Sequence, residues 1–135
     1  MSYINRYLKE IFQIEKSIIQ LLLTYDYRYI IMTWINVCKV DVLENDKLVA
    51  FDYNDKKILV TKIQDKIYAT DRICTHEYAD LSTGFLSEDE KTITCPLYFS
   101  RFELETGISQ NPPAKIPLQT YDNKMEDNCV YVFID

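Results

Sequence analysis

The chain has 135 residues, of which 47% are hydrophobic, and a formal net charge of −6 at pH 7. This length and apolar content suit one small globular domain with its own core and leave no room for a second domain of similar size. The acidic balance excludes a nucleic-acid-binding protein, because binding phosphates requires clusters of Lys and Arg that this chain lacks.

Residues 1–31 have a helical pattern. Apolar side chains recur there every three or four positions, as on one face of an amphipathic helix: Ile4, Tyr7, Leu8, Ile11, Phe12, Ile18 and Leu22. The apolar run Leu21–Leu23 is far shorter than the roughly 20 residues that cross a bilayer. The features of a secretory signal are also missing. We therefore expect no membrane anchor and a cytoplasmic protein.

A second candidate start at Met32 divides the chain into a helical extension, residues 1–31, and a main domain, residues 32–135. The extension could be a helix that packs on the sheet, a helix that binds a partner, or upstream sequence included in the reading frame. The acidity belongs to the main domain. From Trp34 onward, 11 Lys and Arg face 18 Asp and Glu, whereas residues 1–33 carry four against three. Such a surface suits a basic protein partner, although acidic residues also simply keep a small protein in solution.

After Trp34 the pattern changes to short β segments. Polar pairs such as Asn54-Asp55 and Gln64-Asp65 separate the early segments, and such short connections favour antiparallel pairing. The predicted strands cover residues 34–40, 48–53, 57–63, 66–70, 91–94, 101–104, 118–121 and 130–134. We expect an all-β fold, an antiparallel sandwich or barrel with a smaller lobe inserted, preceded by the N-terminal helix.

Two short segments offer metal ligands. The first is Cys74-Thr75-His76, and the second is Cys95-Pro96-Leu97-Tyr98, with 18 residues between His76 and Cys95. His76 is the single histidine of the chain. A buried cysteine is often just a small hydrophobic residue. That is our interpretation of Cys38 and Cys129, which lie in predicted strands away from both segments.

The sequence around the two motifs resembles that of small Rieske-type [2Fe-2S] ferredoxins, over roughly residues 34–135. The matching stretches are residues 67–71, 74–84 and 95–107, and relatives have histidine and usually glycine in place of Tyr98 and Phe99. The resemblance implies a Rieske-type fold with a cluster-binding lobe and a [2Fe-2S] cofactor. It also assigns positions: Cys74 and Cys95 as the thiolate pair on one iron, and His76 on the other iron.

By the same resemblance, Tyr98 stands where the second imidazole would bind, and Ser100 stands where relatives donate a hydroxyl to a bridging sulfide. A tyrosine binds iron as an anionic phenolate, as in catalase. A phenolate would stabilise the oxidised state and lower the potential relative to a two-histidine site.

The resemblance implies an electron-transfer protein, not an enzyme. It would carry single electrons between redox proteins, namely a reductase and an oxygenase or similar enzyme. Two other functions stay open at this point. One is a Rieske-fold subunit or interaction module that has lost its cluster. The other is a mononuclear site, in which Cys74, His76 and Cys95 hold one zinc or iron ion with an open fourth position.

Overall fold

The computed structural model of the protein describes residues 33–45 and 47–134. The predicted helix over residues 1–31 lies outside these residues, and the predicted division of the chain at residue 32 stays a prediction. The chain forms two compact units, one of them Ile35–Val132. In the other, Trp34 packs edge-to-face on Phe133, with 5.2 Å between the ring centroids.

The described residues are mostly β-structure. One short helix, α1 (Val40–Asn45), follows the first strand, and a 3₁₀ turn covers Leu81–Thr83. The strands are β1 (Thr33–Lys39), β2 (Val49–Tyr53), β3 (Lys56–Ile63), β4 (Lys66–Asp71), β5 (Phe85–Ser87), β6 (Thr92–Thr94), β7 (Arg101–Glu103), β8 (Asn123–Glu126) and β9 (Cys129–Ile134).

These strands form three sheets, ordered β1-β9-β8, β2-β3-β4 and β5-β6-β7. β2, β3 and β4 pair antiparallel, as do β5, β6 and β7, and β8 with β9. The third sheet lies in sequence between the strands of the second sheet and β8–β9, as predicted for an inserted lobe. The prediction of an all-β fold with antiparallel sheets is confirmed.

Burial along the strands follows from their place in a sheet. In β9 every second side chain is buried, from Val130 to Ile134, as expected of a strand with one face toward a core. In β3, by contrast, Ile58–Thr61 are buried without interruption, because this central strand is covered on both faces. The turn Asp127–Asn128 joins β8 to β9 with both residues at positive φ, as in the type I′ turns of two-residue hairpins.

Several predicted elements differ from the structure. The segment 118–121 is not a regular strand, because its backbone bonds are divided between neighbours: Leu118 N–H bonds Gly107, and Tyr121 N–H bonds Ala69 of β4. β5, β8 and α1 were not predicted from the sequence. The Asn-Lys-Met-Glu sequence of β8 has low strand propensity, so its strand depends on the tight turn and on pairing with β9.

One buried cluster joins the second and third sheets. Phe102 of β7 is fully buried in it, and burying such a side chain contributes roughly 1.5–3 kcal/mol. Both Cys74 and Cys95 belong to the same cluster. Its members are Leu59, Ile63, Tyr68, Cys74, Ala79, Leu81, Ile93, Cys95, Phe102, Leu104, Ala114 and Leu118. The core therefore includes the cysteine of each of the two candidate ligand segments.

Candidate metal centre

The two candidate ligand segments form loops of the same length and the same construction. Residues 74–79 lie between the bridged residues Ile73 and Asp80, and Cys74 N–H donates to the carbonyl of Ala79 at 2.9 Å. Residues 95–100 lie between the last pair of β6 and β7, and Cys95 N–H donates to the carbonyl of Ser100 at 2.8 Å. Each loop thus begins with its cysteine and is closed by the backbone of that cysteine.

The two cysteines meet in the interior. Cys74 and Cys95 are both buried, and the Cys74 thiol lies near enough to Cys95 to affect the pKa of the Cys95 thiol. Cys95 Sγ also accepts a hydrogen bond from Leu97 N–H at 3.4 Å. Burial is the main reason that the pKa of the Cys95 thiol is raised to about 11, against the lowering effect of the Leu97 bond, and the Cys74 thiol adds to the increase. Neither cysteine forms a disulfide.

The two ring side chains meet at the surface. His76 and Tyr98 lie edge-to-face with 5.7 Å between ring centroids, and Tyr98 is 66% exposed. Together with Glu77 and Pro113 they line an open pocket of about 310 Å³. The four candidate ligands are therefore arranged as a buried pair of thiols and an exposed pair of rings. Among residues 33–45 and 47–134, no three His, Cys, Asp or Glu side chains lie close enough to hold one metal ion.

The second loop contains two successive non-glycine residues in the left-handed region. Tyr98 has a φ of 64° and Phe99 a φ of 61°. This region costs an L-residue roughly 1–2 kcal/mol, whereas glycine enters it without that penalty. The Phe99 ring is exposed and lies 6.3 Å from the ring of Phe85 in β5. The loop must therefore be held by contacts that offset this strain.

A third segment, residues 109–116, binds both loops; we call it the proline segment. Thr75 Oγ1 of the first loop donates to the carbonyl of Ile116 at 2.6 Å. Ser100 of the second loop is fully buried, and its Oγ accepts from Ala114 N–H at 2.8 Å. The Asn111 side chain also bonds the second loop. The proline segment was not predicted to contact the loops. Ile116, Ala114 and Asn111 are not metal-ligand types in a motif, and they lie far from most of their partners in sequence.

A buried arginine anchors the first loop. The Arg72 guanidinium pairs with Asp52 Oδ1 at 2.7 Å and with Asp80 Oδ2 at 3.2 Å. Asp80 Oδ1 in turn accepts from Ser82 N–H at 2.9 Å and from Ser82 Oγ at 2.6 Å. Burial raises the pKa of the Asp80 carboxyl, but the two Ser82 bonds and the Arg72 charge outweigh it, so the pKa lies below its ordinary value. Asp80 is thus held in the charged form.

Large apolar side chains are exposed on and beside the two loops. They are Tyr78 of the first loop, Leu97, Tyr98 and Phe99 of the second, Phe85 of β5 and Ile116 of the proline segment. Tyr78 is 77% exposed. We call these six residues the apolar tip. Clustered exposed apolar side chains are typical of surfaces that bind another molecule.

The other two cysteines are not part of these loops. Cys38 and Cys129 are in strands as predicted, β1 and β9, but both are half-buried rather than fully inside the core.

None of the helices that the structure describes is both long enough and apolar enough to cross a membrane.

Comparison with known proteins gives a consistent family. A family model described as "Rieske-like [2Fe-2S] domain" matches residues 33–133. A curated relative, the ferredoxin component of the naphthalene 1,2-dioxygenase/salicylate 5-hydroxylase systems of Ralstonia sp, is 36% identical over 94 residues. That match covers 70% of this chain and 88% of the relative.

Two solved structures have the same fold. The ferredoxin of carbazole 1,9a-dioxygenase from Nocardioides aromaticivorans IC177 superposes with a TM-score of 0.71 and 29% identity, covering 74% of this chain and 96% of that one. A structure described as a complex of reduced oxygenase and oxidized ferredoxin in carbazole 1,9a-dioxygenase gives a TM-score of 0.68 at 29% identity. It covers 74% of this chain and 92% of the matched chain.

Proposed function

The chain belongs to the family of Rieske-like [2Fe-2S] domains, and from that premise we propose that it carries single electrons to an oxygenase or another redox enzyme through a ligand-altered centre. Its relatives are ferredoxin components, which transfer electrons and are not catalysts, and this chain is likewise an electron-transfer protein and not an enzyme. The observation that carries the proposal is the arrangement of the four donors: two thiols together inside, and two rings together at the surface.

The donor set fits a [2Fe-2S] cluster. In this proposal Cys74 and Cys95 hold one iron as thiolates, and His76 and Tyr98 hold the other. When bound, the cluster supplies a centre that takes up and gives back one electron. The buried thiols would lose their protons when metal binds, since only a thiolate ligates. The pKa of the Cys95 thiol is high, so this thiol would lose its proton at neutral pH only when metal binds. Leu97 N–H is already directed at Cys95 Sγ, where it would stabilise negative charge on sulfur.

Ser100 has a supporting role in the proposal. Its Oγ accepts a hydrogen bond from Ala114 N–H, and no described residue accepts the hydroxyl hydrogen. The hydroxyl is fully buried beside Cys95, at the end of the same loop. A hydrogen bond from it to a cluster sulfur would satisfy the group and raise the potential.

Tyr98 distinguishes this centre from a two-imidazole site. A phenol keeps its proton until about pH 10, so iron must displace that proton for the oxygen to bind. The resulting phenolate adds negative charge beside the iron and stabilises the oxidised state. We therefore propose a potential below that of a site with two histidines.

The partners in the proposal are redox proteins. Tyr98 belongs to the apolar tip and contacts His76, so a partner that covers the tip also reaches the outer side of the centre. A ferredoxin similar to this chain is known in complex with an oxygenase. A reductase as electron donor, like the cytoplasmic location, stays a prediction from the sequence.

Two alternatives are weaker on the observations. The tyrosine at position 98, where relatives have histidine, favours a module without a cluster. Against that, Cys74 still lies with Cys95 in the interior, and His76 still lies at the surface, as a cluster would need. A single zinc or iron ion would need its donors in one group of three. Among the described residues the donors instead form two separate pairs.

The test is metal analysis and voltammetry of the anaerobically purified chain beside its Tyr98→His variant. We expect two irons and two acid-labile sulfides per chain in both, a phenolate-to-iron absorption band in the unaltered chain alone, and a higher midpoint potential in Tyr98→His. Two-histidine centres span about −150 to +300 mV.

Tyr78→His is the matched control, because Tyr78 is also an exposed tyrosine and lies in the other loop. It should leave both the band and the potential unchanged. A chain without iron and sulfide would contradict the electron-carrier proposal. Equal potentials in the unaltered chain and Tyr98→His would contradict the role of Tyr98 alone.

A further inference from the structure

The strained residues of the second loop, Tyr98 and Phe99, are not held by backbone hydrogen bonds within that loop. Cys95 N–H closes the loop on Ser100, and β6 and β7 pair from Thr94 and Arg101 outward. Between these bonds lie Tyr98 and Phe99, both left-handed. The peptide group that follows Phe99 has no partner within the loop.

The Asn111 side chain supplies that partner. Its Nδ2 donates to the carbonyl of Phe99 at 3.0 Å, and its Oδ1 accepts from Arg101 N–H at 2.7 Å. One amide group therefore bonds the backbone on both sides of Ser100, as a neighbouring strand would. The two bonds fix the direction of the Phe99 carbonyl, and with it the end of the left-handed pair.

Asn111 is itself held in place. Gln110 N–H donates to the carbonyl of Arg101 at 2.7 Å, and Ser109 bridges to Phe102 of β7. The single Ser109 hydroxyl hydrogen is shared between the carbonyls of Asn111 and Ala114, which lie 2.9 Å and 2.7 Å from Oγ. The proline segment therefore starts as an extension of the third sheet, and the Asn111 side chain continues the pairing where the backbone leaves the sheet.

We propose that Asn111 is a positioning residue that holds the left-handed Tyr98–Phe99 turn and thereby sets the position of the Tyr98 ring against His76. The inference rests on the proposed function for its consequence, which is that Asn111 tunes the potential of the centre through Tyr98. Its structural half, the restraint of the loop, does not depend on a bound cluster.

The experiment compares the unaltered chain, Asn111→Ala, Phe99→Gly and the double variant Asn111→Ala/Phe99→Gly. Amide hydrogen exchange of residues 97–101 reports on the loop, and the midpoint potential reports on Tyr98. Gln110→Ala is the matched control, because Gln110 precedes Asn111 and its exposed side chain makes no hydrogen bond that the structure describes.

In Asn111→Ala we expect the Arg101 amide to exchange about tenfold faster, as for the loss of one hydrogen bond. We also expect the midpoint potential to rise, because Tyr98 is less firmly placed. Phe99→Gly removes the penalty for the left-handed conformation. In the double variant, the glycine at position 99 should therefore return the midpoint potential toward that of the unaltered chain. Gln110→Ala should change neither quantity.

The outcomes separate the two proposals. If the unaltered chain holds no iron, the proposed function fails, and the exchange measurement alone decides the role of Asn111. Unchanged exchange at Arg101 in Asn111→Ala would overturn the inference. Faster exchange with an unchanged potential in a cluster-containing protein would overturn it as well, because Tyr98 would then be positioned by something else. Failure of Phe99→Gly to restore the potential would reduce Asn111 to a general structural role.

Discussion

At the scale of single residues, the most informative feature is the conformation of Tyr98 and Phe99. These two adjacent residues have backbone angles that favour glycine, and they lie directly beside the candidate centre. Strain of this kind persists only where surrounding contacts enforce it, and it is often found at functional sites. Here the contacts come from the proline segment, so the ring that faces His76 is placed by tertiary structure and not by local preference.

This strain can be measured by comparing alanine and glycine at two positions of the loop. Phe99→Gly and Phe99→Ala both lose the ring, so they differ mainly in the left-handed penalty. We expect the glycine variant to be more stable by about 1 kcal/mol. At Leu97, whose φ is not positive, the order should reverse, because glycine loses more chain entropy on folding. Urea unfolding gives the four free energies, and the same order at both positions would contradict the argument.

At the scale of elements, the two loops are equal in backbone closure but anchored by different contacts. Hydrogen bonds with the proline segment hold both loops, but only the first also depends on ion pairs, those of Arg72 with Asp52 and Asp80. The first anchor is charged, so its contribution to stability changes with pH. The second is neutral and does not titrate. Acid should therefore weaken the first loop before the second.

The pKa of Asp80 lies below its ordinary value, which gives the direction of this effect. A depressed folded-state pKa contributes stability that is present above about pH 4, the unfolded value, and is lost as the pH falls through the folded value. We expect Asp80→Asn to be less stable than the unaltered chain at pH 7, and the difference to shrink steadily as the pH falls from 5 to 3. Urea unfolding across this range measures it.

Ser82→Ala serves as the companion variant, since it removes one of the hydrogen bonds to the Asp80 carboxylate and keeps its charge. Its unfolding curve should lie between the other two. A gap between Asp80→Asn and the unaltered chain that stays constant from pH 5 to 3 would show that the carboxylate has no special role.

Sequence and structure agree where local patterns decide the outcome. β2, β3 and β4 begin and end within one residue of the predicted bounds, because polar turn residues separate runs of strand formers. Cys74, His76 and Cys95 could be chosen as candidate ligands because their residue types and spacing match a known motif. β8 and α1 were missed because pairing and packing impose them on sequences of weak preference. Arg72 and Asn111 were missed because their partners are distant in sequence, and only the fold brings them together.

At the scale of the whole molecule, an excess of acidic residues is combined with a set of exposed apolar side chains. Acidic residues dominate the chain from residue 34 onward, whereas the apolar tip presents aromatic and aliphatic side chains around the His76–Tyr98 pair. Under the proposed function, the acidic surface would attract a basic partner at long range, and the tip would supply the apolar area that this partner desolvates.

The predicted division of the chain can be tested directly. All candidate ligands and their partners lie after residue 51, and the family match begins at residue 33. A chain shortened to residues 32–135 should therefore bind as much iron and sulfide per polypeptide as the full chain. Metal analysis of both, purified side by side, measures this. A shortened chain that folds but takes up less than half as much iron would show that residues 1–31 belong to the functional unit.

Both loops are closed by hydrogen bonds from cysteine N–H to a carbonyl, so neither closure involves the side chain of residue 76 or 98. The main chain can therefore keep its course while the donor atom at its apex is exchanged. Histidine and tyrosine codons differ in a single base, which makes such an exchange one of the shortest steps open to a gene. Under the function proposed above, one base change in codon 98 would therefore shift the midpoint potential and leave the fold as it is.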